Sequence, residues 1–251
     1  MDIILSPSPN FDDRKHAVDM LVLHYTGMKT GQAAFDQLRN PDAKVSSHYL
    51  LWEDGRVDQM VAEDRRAWHA GVSSWQGDED LNSRSIGIEI VNGGHDFPQP
   101  DGSLPPYPEA QIGALIELCR MILTTHDIPQ TRIVGHSDIA PLRKQDPGEH
   151  FPWERLAQAG IGIWADIEDL ATPDGQGKSL SPGAQTASVR QMQEQLQRIG
   201  YGLSPSGTFD ELTEATVRAF QRRWLPDRVS GTADIATLRQ IGVIHALYTA
   251  D

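Results

Sequence analysis

The chain of 251 residues has a single cysteine, Cys119, which excludes an internal disulfide and leaves no thiolate cluster for a metal. Cys119 falls among apolar helix positions and reads as a buried, inert thiol. No apolar run approaches the ~18 residues a membrane helix needs, so no membrane span is expected. Basic residues are also in deficit, with 22 Lys and Arg against 35 Asp and Glu, a net charge of -13. That balance argues against nonspecific binding to nucleic acid or anionic membranes, which depends on clustered cations. The amino terminus, MDIILSPSPNFDDRKHAVDM, has only a short apolar patch without a basic lead-in, so a cytoplasmic location is expected; periplasm or cell envelope is the alternative if the sequence is trimmed or exported by another route.

What is present is α/β patterning followed by a change of character. Met20 to Thr26 is a strand with Leu21, Leu23 and Tyr25 on one face and Val22, His24 and Thr26 on the other. Gln32 to Arg39 reads as a short helix. Ser46 to Val61 reads as a hairpin around Asp54-Gly55 and carries His48 on its first strand. Trp68-His69-Ala70-Gly71 is a loop, and Val72 to Ser85 a polar surface loop. In the strand Ser85 to Val91, Glu89 shares a face with Gly87; a carboxylate inside an apolar strand must be at an edge, paired, or functional with a perturbed pKa, and Gly87 would leave room for a pocket. Asn92 to Pro108, rich in Pro and Gly, reads as an irregular loop able to serve as a lid. Glu109 to His126 is an amphipathic helix, and Arg132 to Gly135 a further strand.

Gly135 to Gly148, GHSDIAPLRKQDPG, gathers His136, Asp138, Lys144 and Asp146 in one segment, read as a rigid loop because Pro and Gly punctuate it. Trp153 to Leu170 is expected to be partly helical. The division expected is a first domain over 1-171, a linker over 172-185, poor in large apolar residues, and a small three-helix all-α domain over 186-251. In the last, Ser188 and Gln191 fit a capping box. Ser206-Gly207-Thr208-Phe209-Asp210-Glu211-Leu212-Thr213 is echoed by Ser230-Gly231-Thr232-Ala233-Asp234-Ile235-Ala236-Thr237, as two equivalent turn-plus-cap entries. His24, His136 and Asp146 could hold a hydrolytic metal with one position open, but ligands so far apart in sequence are assembled only by the fold.

In register, LVLHYTG, VSSHYLLWEDG, AWHAG, SIGIEIVN, GHSDIAPLRKQDPG and FPWERLAQAGIGIW resemble the zinc-dependent N-acetylmuramoyl-L-alanine amidases of the AmpD-like family over about residues 1 to 170. The resemblance implies an α/β fold with a central mixed β-sheet flanked by helices, and Zn2+ held by His24, His136 and Asp146. It implies Glu89 as general base, Lys144 as oxyanion stabiliser, and His48, His69 and Asn92 as contacts to ligands or substrate. Asp138 is left with a structural role. His16, His95, His126, His150 and His245 match no such position and are expected at the surface. The substrate implied is peptidoglycan or a muropeptide, cut between the lactyl group of N-acetylmuramic acid and L-alanine. About Ser181 to Ile244 resembles the three-helix peptidoglycan-binding domain through Leu196-Gln197, Gly200-Tyr201, Gly207, Phe209, Thr213 and Phe220-Gln221, with serine where Asp usually precedes Gly207 and Gly231. Two other readings are a noncatalytic recognition module, against which Asp146 and Lys144 count, and a glycosidase, for which Glu89 lacks a second carboxylate.

Overall fold

The computed structural model describes residues 1–165 and 178–249. Its first part is built on a six-stranded mixed sheet of order β1-β5-β4-β7-β3-β8, formed by β1 (Ile3–Leu5), β5 (Val57–Gln59), β4 (Tyr49–Leu51), β7 (Ser85–Ile90), β3 (Met20–Tyr25) and β8 (Ile133–Gly135). Only β4 and β5 pair antiparallel in it, as the Asp54-Gly55 turn requires; the other neighbours run parallel. A separate ribbon joins β2 (Phe11–Asp13) to β6 (Arg65–Ala67).

The central strands β3 and β7 have nearly all residues buried, as expected of parallel strands covered on both faces. On one face Leu21, Leu23, Ile86 and Ile88 pack against Ile112, Leu115, Cys119 and Ile122 of α3 (Glu109–Thr125), with α5 (Trp153–Gln158) closing the edge. Burying those four α3 side chains contributes on the order of 6–10 kcal/mol. On the other face Met20, Val22 and Val134 belong to a core continuous with the carboxy-terminal helices. The helices α1 (Gly31–Arg39) and α2 (Leu81–Arg84) flank the sheet.

That second part consists of α6 (Ala187–Ile199), α7 (Glu211–Trp224) and α8 (Ile235–Thr249). Its repeat has one physical meaning. A glutamine on the preceding helix plugs each turn: Gln193 donates to Thr208 O (2.9 Å) and Thr213 Oγ1 (2.8 Å) and accepts from Gly207 N (2.8 Å). Gln221 repeats the pattern with Thr232 O, Thr237 Oγ1 and Gly231 N. Ser206 and Ser230 accept from the N–H two residues on, so serine itself closes each turn. The first helix is capped by Thr186, which accepts from Val189 N, and not by Ser188 as the capping-box pattern suggested.

Two stretches differ from expectation. Val72 to Ser85 is a joint between the two parts: Trp75 is buried, donates from its indole to Thr131 O (3.1 Å) and bridges to Tyr201. The segment read as a linker lies partly outside the described residues, yet Leu180 exchanges backbone hydrogen bonds with Ala233 and packs into the helical core. The expected helical continuation to Leu170 is likewise outside the described residues beyond 165.

Candidate active site

The site lies at the carboxyl ends of β3, β7 and β8, on the sheet face opposite α3. Parallel register sets His24 beside Glu89, and β3 pairs with β8 just before His136. Gly135 is where the chain turns: a Cβ there would lie 2.7 Å from Pro147 Cδ, so only glycine lets the far end of the loop fold back onto its start. The loop therefore closes on itself and delivers Asp146 to His136. Its first residues form a one-turn helix, α4 (His136–Ile139), where the sequence suggested a rigid loop throughout.

His24, His136 and Asp146 converge in the interior, each at most 5% exposed. Nδ1 of His24 is 2.9 Å from Nδ1 of His136, and both are 3.1 Å from Oδ2 of Asp146. The surrounding hydrogen bonds decide where the protons are. His136 Nε2 faces the carbonyl of Ala70 (3.1 Å), which can only accept, so that nitrogen carries the proton. Ser85 Oγ donates to Leu81 O (2.5 Å) and so accepts from His69 Nε2 (3.2 Å); His69 Nδ1 is then an acceptor for His24 Nε2–H (3.0 Å). Burial, reinforced by the neighbouring His136, lowers the pKa of His24 to about 4, and burial with His24 beside it holds His69 well below the usual range. The rings of His24 and His69 are neutral, so the Nδ1 lone pair of His24 is turned toward Nδ1 of His136 and the carboxylate of Asp146.

Three ligand-capable atoms gathered this closely form a ready cradle for a cation. Its edges approach the roughly 3.3 Å separating two ligands of a tetrahedral zinc ion at about 2.0–2.1 Å, and two imidazoles with a carboxylate are an ordinary donor set for that ion. The residues fit a divalent metal.

A cleft of about 360 Å³ opens over the cluster, lined among others by Tyr25, His69, Glu89, Asp96, His136, Lys144 and Asp146. Oε2 of Glu89 is buried there without a hydrogen-bond partner. Burial first, and the charge of Asp146 second, push its carboxyl well above the usual glutamate range; Lys144 opposes them. The half-buried Lys144 lies in the cleft wall.

Of the three residues expected to contact ligands or substrate, His69 meets a proposed ligand, His24, while His48 and Asn92 are bonded elsewhere. His69 lines the cleft but its ring is spent on His24 and Ser85, and it fills the space beside Gly87 that suggested a pocket. His48 is wholly buried within the sheet, accepting from Gly87 N (2.9 Å) and donating to Arg65 O (3.1 Å). Asn92 pins the loop after β7, donating to Pro105 O and accepting from Gly94 N. Both hold scaffold and reach no part of the cleft. The sequence also missed Tyr25, whose hydroxyl meets His95 Nδ1 (2.9 Å), with His95 Nε2 on Glu149 (3.1 Å). His95, His126 and His150 are thus half-buried and bonded or stacked, not surface residues, whereas His16 is exposed.

A family model for N-acetylmuramoyl-L-alanine amidase matches residues 14–149, and one for a peptidoglycan binding domain matches residues 185–241. Escherichia coli AmiD, an N-acetylmuramoyl-L-alanine amidase, is 37% identical over 227 residues, covering 88% of this chain and 79% of AmiD. AmpD of Haemophilus influenzae, a 1,6-anhydro-N-acetylmuramyl-L-alanine amidase, is 37% identical over 168 residues, 59% of this chain and 86% of AmpD. Among solved structures, AmiD in complex with the substrate anhydro-N-acetylmuramic acid-L-Ala-D-gamma-Glu-L-Lys superposes with a TM-score of 0.79 at 34% identity, covering 93% of this chain and 91% of that one. AmpDH3 from Pseudomonas aeruginosa in complex with anhydromuramic pentapeptide gives 0.75 at 34% identity, covering 93% of each.

Proposed function

Because the chain belongs to the N-acetylmuramoyl-L-alanine amidase family, we propose that it hydrolyses the amide between the lactyl group of N-acetylmuramic acid and the L-alanine of the stem peptide, using zinc held by His24, His136 and Asp146. The observation that carries this reading is the convergence of three ligand-capable side chains beside a buried, unpartnered glutamate oxygen. Zinc in such a site polarises a carbonyl and makes water a nucleophile near neutral pH.

The protein groups supply the rest. Glu89, poorly solvated and with its proton affinity raised, accepts the proton of the attacking water and returns it to the departing amine of L-alanine. Lys144 places a cation in the cleft wall where negative charge grows on the attacked carbonyl oxygen, an interaction stronger in the transition state than with the neutral amide. Hydrogen bonds to Ala70 and His69 hold the two ligand histidines in the tautomer that presents Nδ1. The products are a free peptide and an intact sugar. The anhydromuramyl peptides bound by AmiD and AmpDH3 support the same class of substrate here. A noncatalytic recognition role is disfavoured because the third donor, the glutamate and the lysine all stand at one cleft.

The test is digestion of an anhydromuramyl tripeptide with zinc-loaded and chelator-stripped protein, with products weighed by mass spectrometry. Stem-peptide release that disappears with chelator and returns with zinc is the expected result. No release by zinc-replete protein refutes hydrolysis, and new reducing ends would assign the cleavage to a glycosidic bond. Cytoplasmic action is tested separately by fractionation of native cells.

A further inference from the structure

The helical module touches the metal-ligand loop through two consecutive arginines of α7. Arg223, 2% exposed, donates from Nη1 to Asp138 Oδ2 (2.9 Å) and from Nη2 to Ile133 O (3.0 Å). Asp138, 1% exposed, also accepts from Tyr201 Oη at Oδ1 (2.8 Å) and from Gly135 N at Oδ2 (2.9 Å). Ile133, Gly135 and Asp138 bracket His136, so one guanidinium clamps both ends of the turn that carries a metal donor. The preceding residue, Arg222, donates to Gln145 Oε1 (2.9 Å) at the Asp146 end of the same loop. Arg223 further lies over the ring of Trp153, with its Cζ 4.2 Å from the centroid.

A buried carboxylate is tolerated only if paired and hydrogen-bonded, and removing one partner leaves an uncompensated charge. Among the described residues the one cation on Asp138 is Arg223, and it lies outside the segment matched by the amidase model. We infer that Arg223 is a positioning residue for the metal centre: the helical module, beyond any affinity for peptidoglycan, completes the turn that aims His136. The inference rests on His136 being a zinc ligand.

The experiment uses the full chain and measures zinc affinity by competition with a chromogenic chelator, alongside kcat, KM and thermal unfolding. Arg223→Met is expected to weaken zinc binding about 10–100-fold, the range for losing a residue that orients a ligand, and to lower kcat of the zinc-saturated enzyme with KM within twofold. Arg223→Lys should recover part of that affinity, and Asp138→Asn combined with Arg223→Met should bind zinc more tightly than Arg223→Met alone, because no unpaired carboxylate remains. Zinc affinity within twofold of wild type in a destabilised Arg223→Met would overturn the inference, as would a double variant with simply additive losses. If Arg223→Met does not fold, Tyr201→Phe, which deletes one hydroxyl on Asp138 and keeps the ring, should weaken zinc binding measurably, and unchanged affinity would again overturn it. His136→Ala separates the two layers: wild-type zinc affinity there removes the ligand assignment itself, whereas lost affinity there with an unaffected Arg223→Met removes only the positioning role.

Discussion

Replacing Gly87 with alanine isolates the hydrogen-bond chain behind the metal site without touching a ligand. Gly87 lies within β7 on ordinary strand backbone, so alanine brings no conformational strain. Its Cβ, however, would stand 2.5 Å from Cγ and 2.6 Å from Nδ1 of His69. Ordinary contact begins near 3.4 Å, so the ring must retreat by about 0.9 Å, which stretches the 3.0 Å bond from His24 Nε2 to His69 Nδ1 beyond hydrogen-bonding range. His24 then loses the partner that fixes its tautomer, a loss of about 10–100-fold in metal affinity, or roughly 1.4–2.8 kcal/mol. Overpacking adds about 1–3 kcal/mol of destabilisation. Chelator competition reads the first effect and thermal unfolding the second. If the collision is the cause, Gly87→Ala combined with His69→Ala is no worse for zinc than His69→Ala alone. Zinc affinity within twofold of wild type in Gly87→Ala would refute the proton arrangement argued for the site.

Glu89→Gln should keep zinc affinity within twofold and lose about 10²–10⁴ in turnover. Because the Glu89 carboxyl is raised and a base works only when ionised, the acid limb of wild-type kcat/KM should lie above the ordinary glutamate range, activity falling as pH drops through it; a limb near 4 would contradict this. His48, lowered to about 3 by burial and by Arg14, is neutral when folded but protonates near 6.5 when unfolded. The unfolded chain therefore binds more protons below about 6.5, stability should fall as pH drops from there toward 3, and His48→Gln should flatten that slope in urea titrations at stepped pH. Gln193→Ala should cost about 1–3 kcal/mol by removing the acceptor of the half-buried Gly207 N–H, while the Thr208 carbonyl keeps the N–H of Asp210, read by the urea midpoint; a change under about 0.5 kcal/mol would show the turn holds without its plug.

Local rules carried much of the architecture. Alternation assigned the two faces of β3 correctly because a buried parallel strand admits few polar side chains, so the positions of His24 and Glu89 stood out. Helical spacing located α3, and Asp54-Gly55 located the hairpin, since both depend on neighbours in sequence. Motif order pointed to the three residues proposed as metal donors, which the fold brings together. Where partners come from distant segments the sequence misled. Val72 to Ser85 keeps much of its polar length exposed but buries Trp75, which finds its surroundings partly on the helical module. His48 and Asn92 resembled ligand contacts and instead satisfy backbone groups.

What the sequence determined alone was a set of chemically able residues on predictable elements, and a repeat whose cap residues recur at one spacing. Tertiary structure decided which nitrogen of His24 and of His136 is turned toward the other proposed ligands, since that depends on Ala70, His69 and Ser85 arriving from other elements. It also decided that Asp138, already left with a structural role, pairs with an arginine 85 residues away on another module. Proton placement and burial are properties of assembled surroundings, and no periodicity along the chain encodes them.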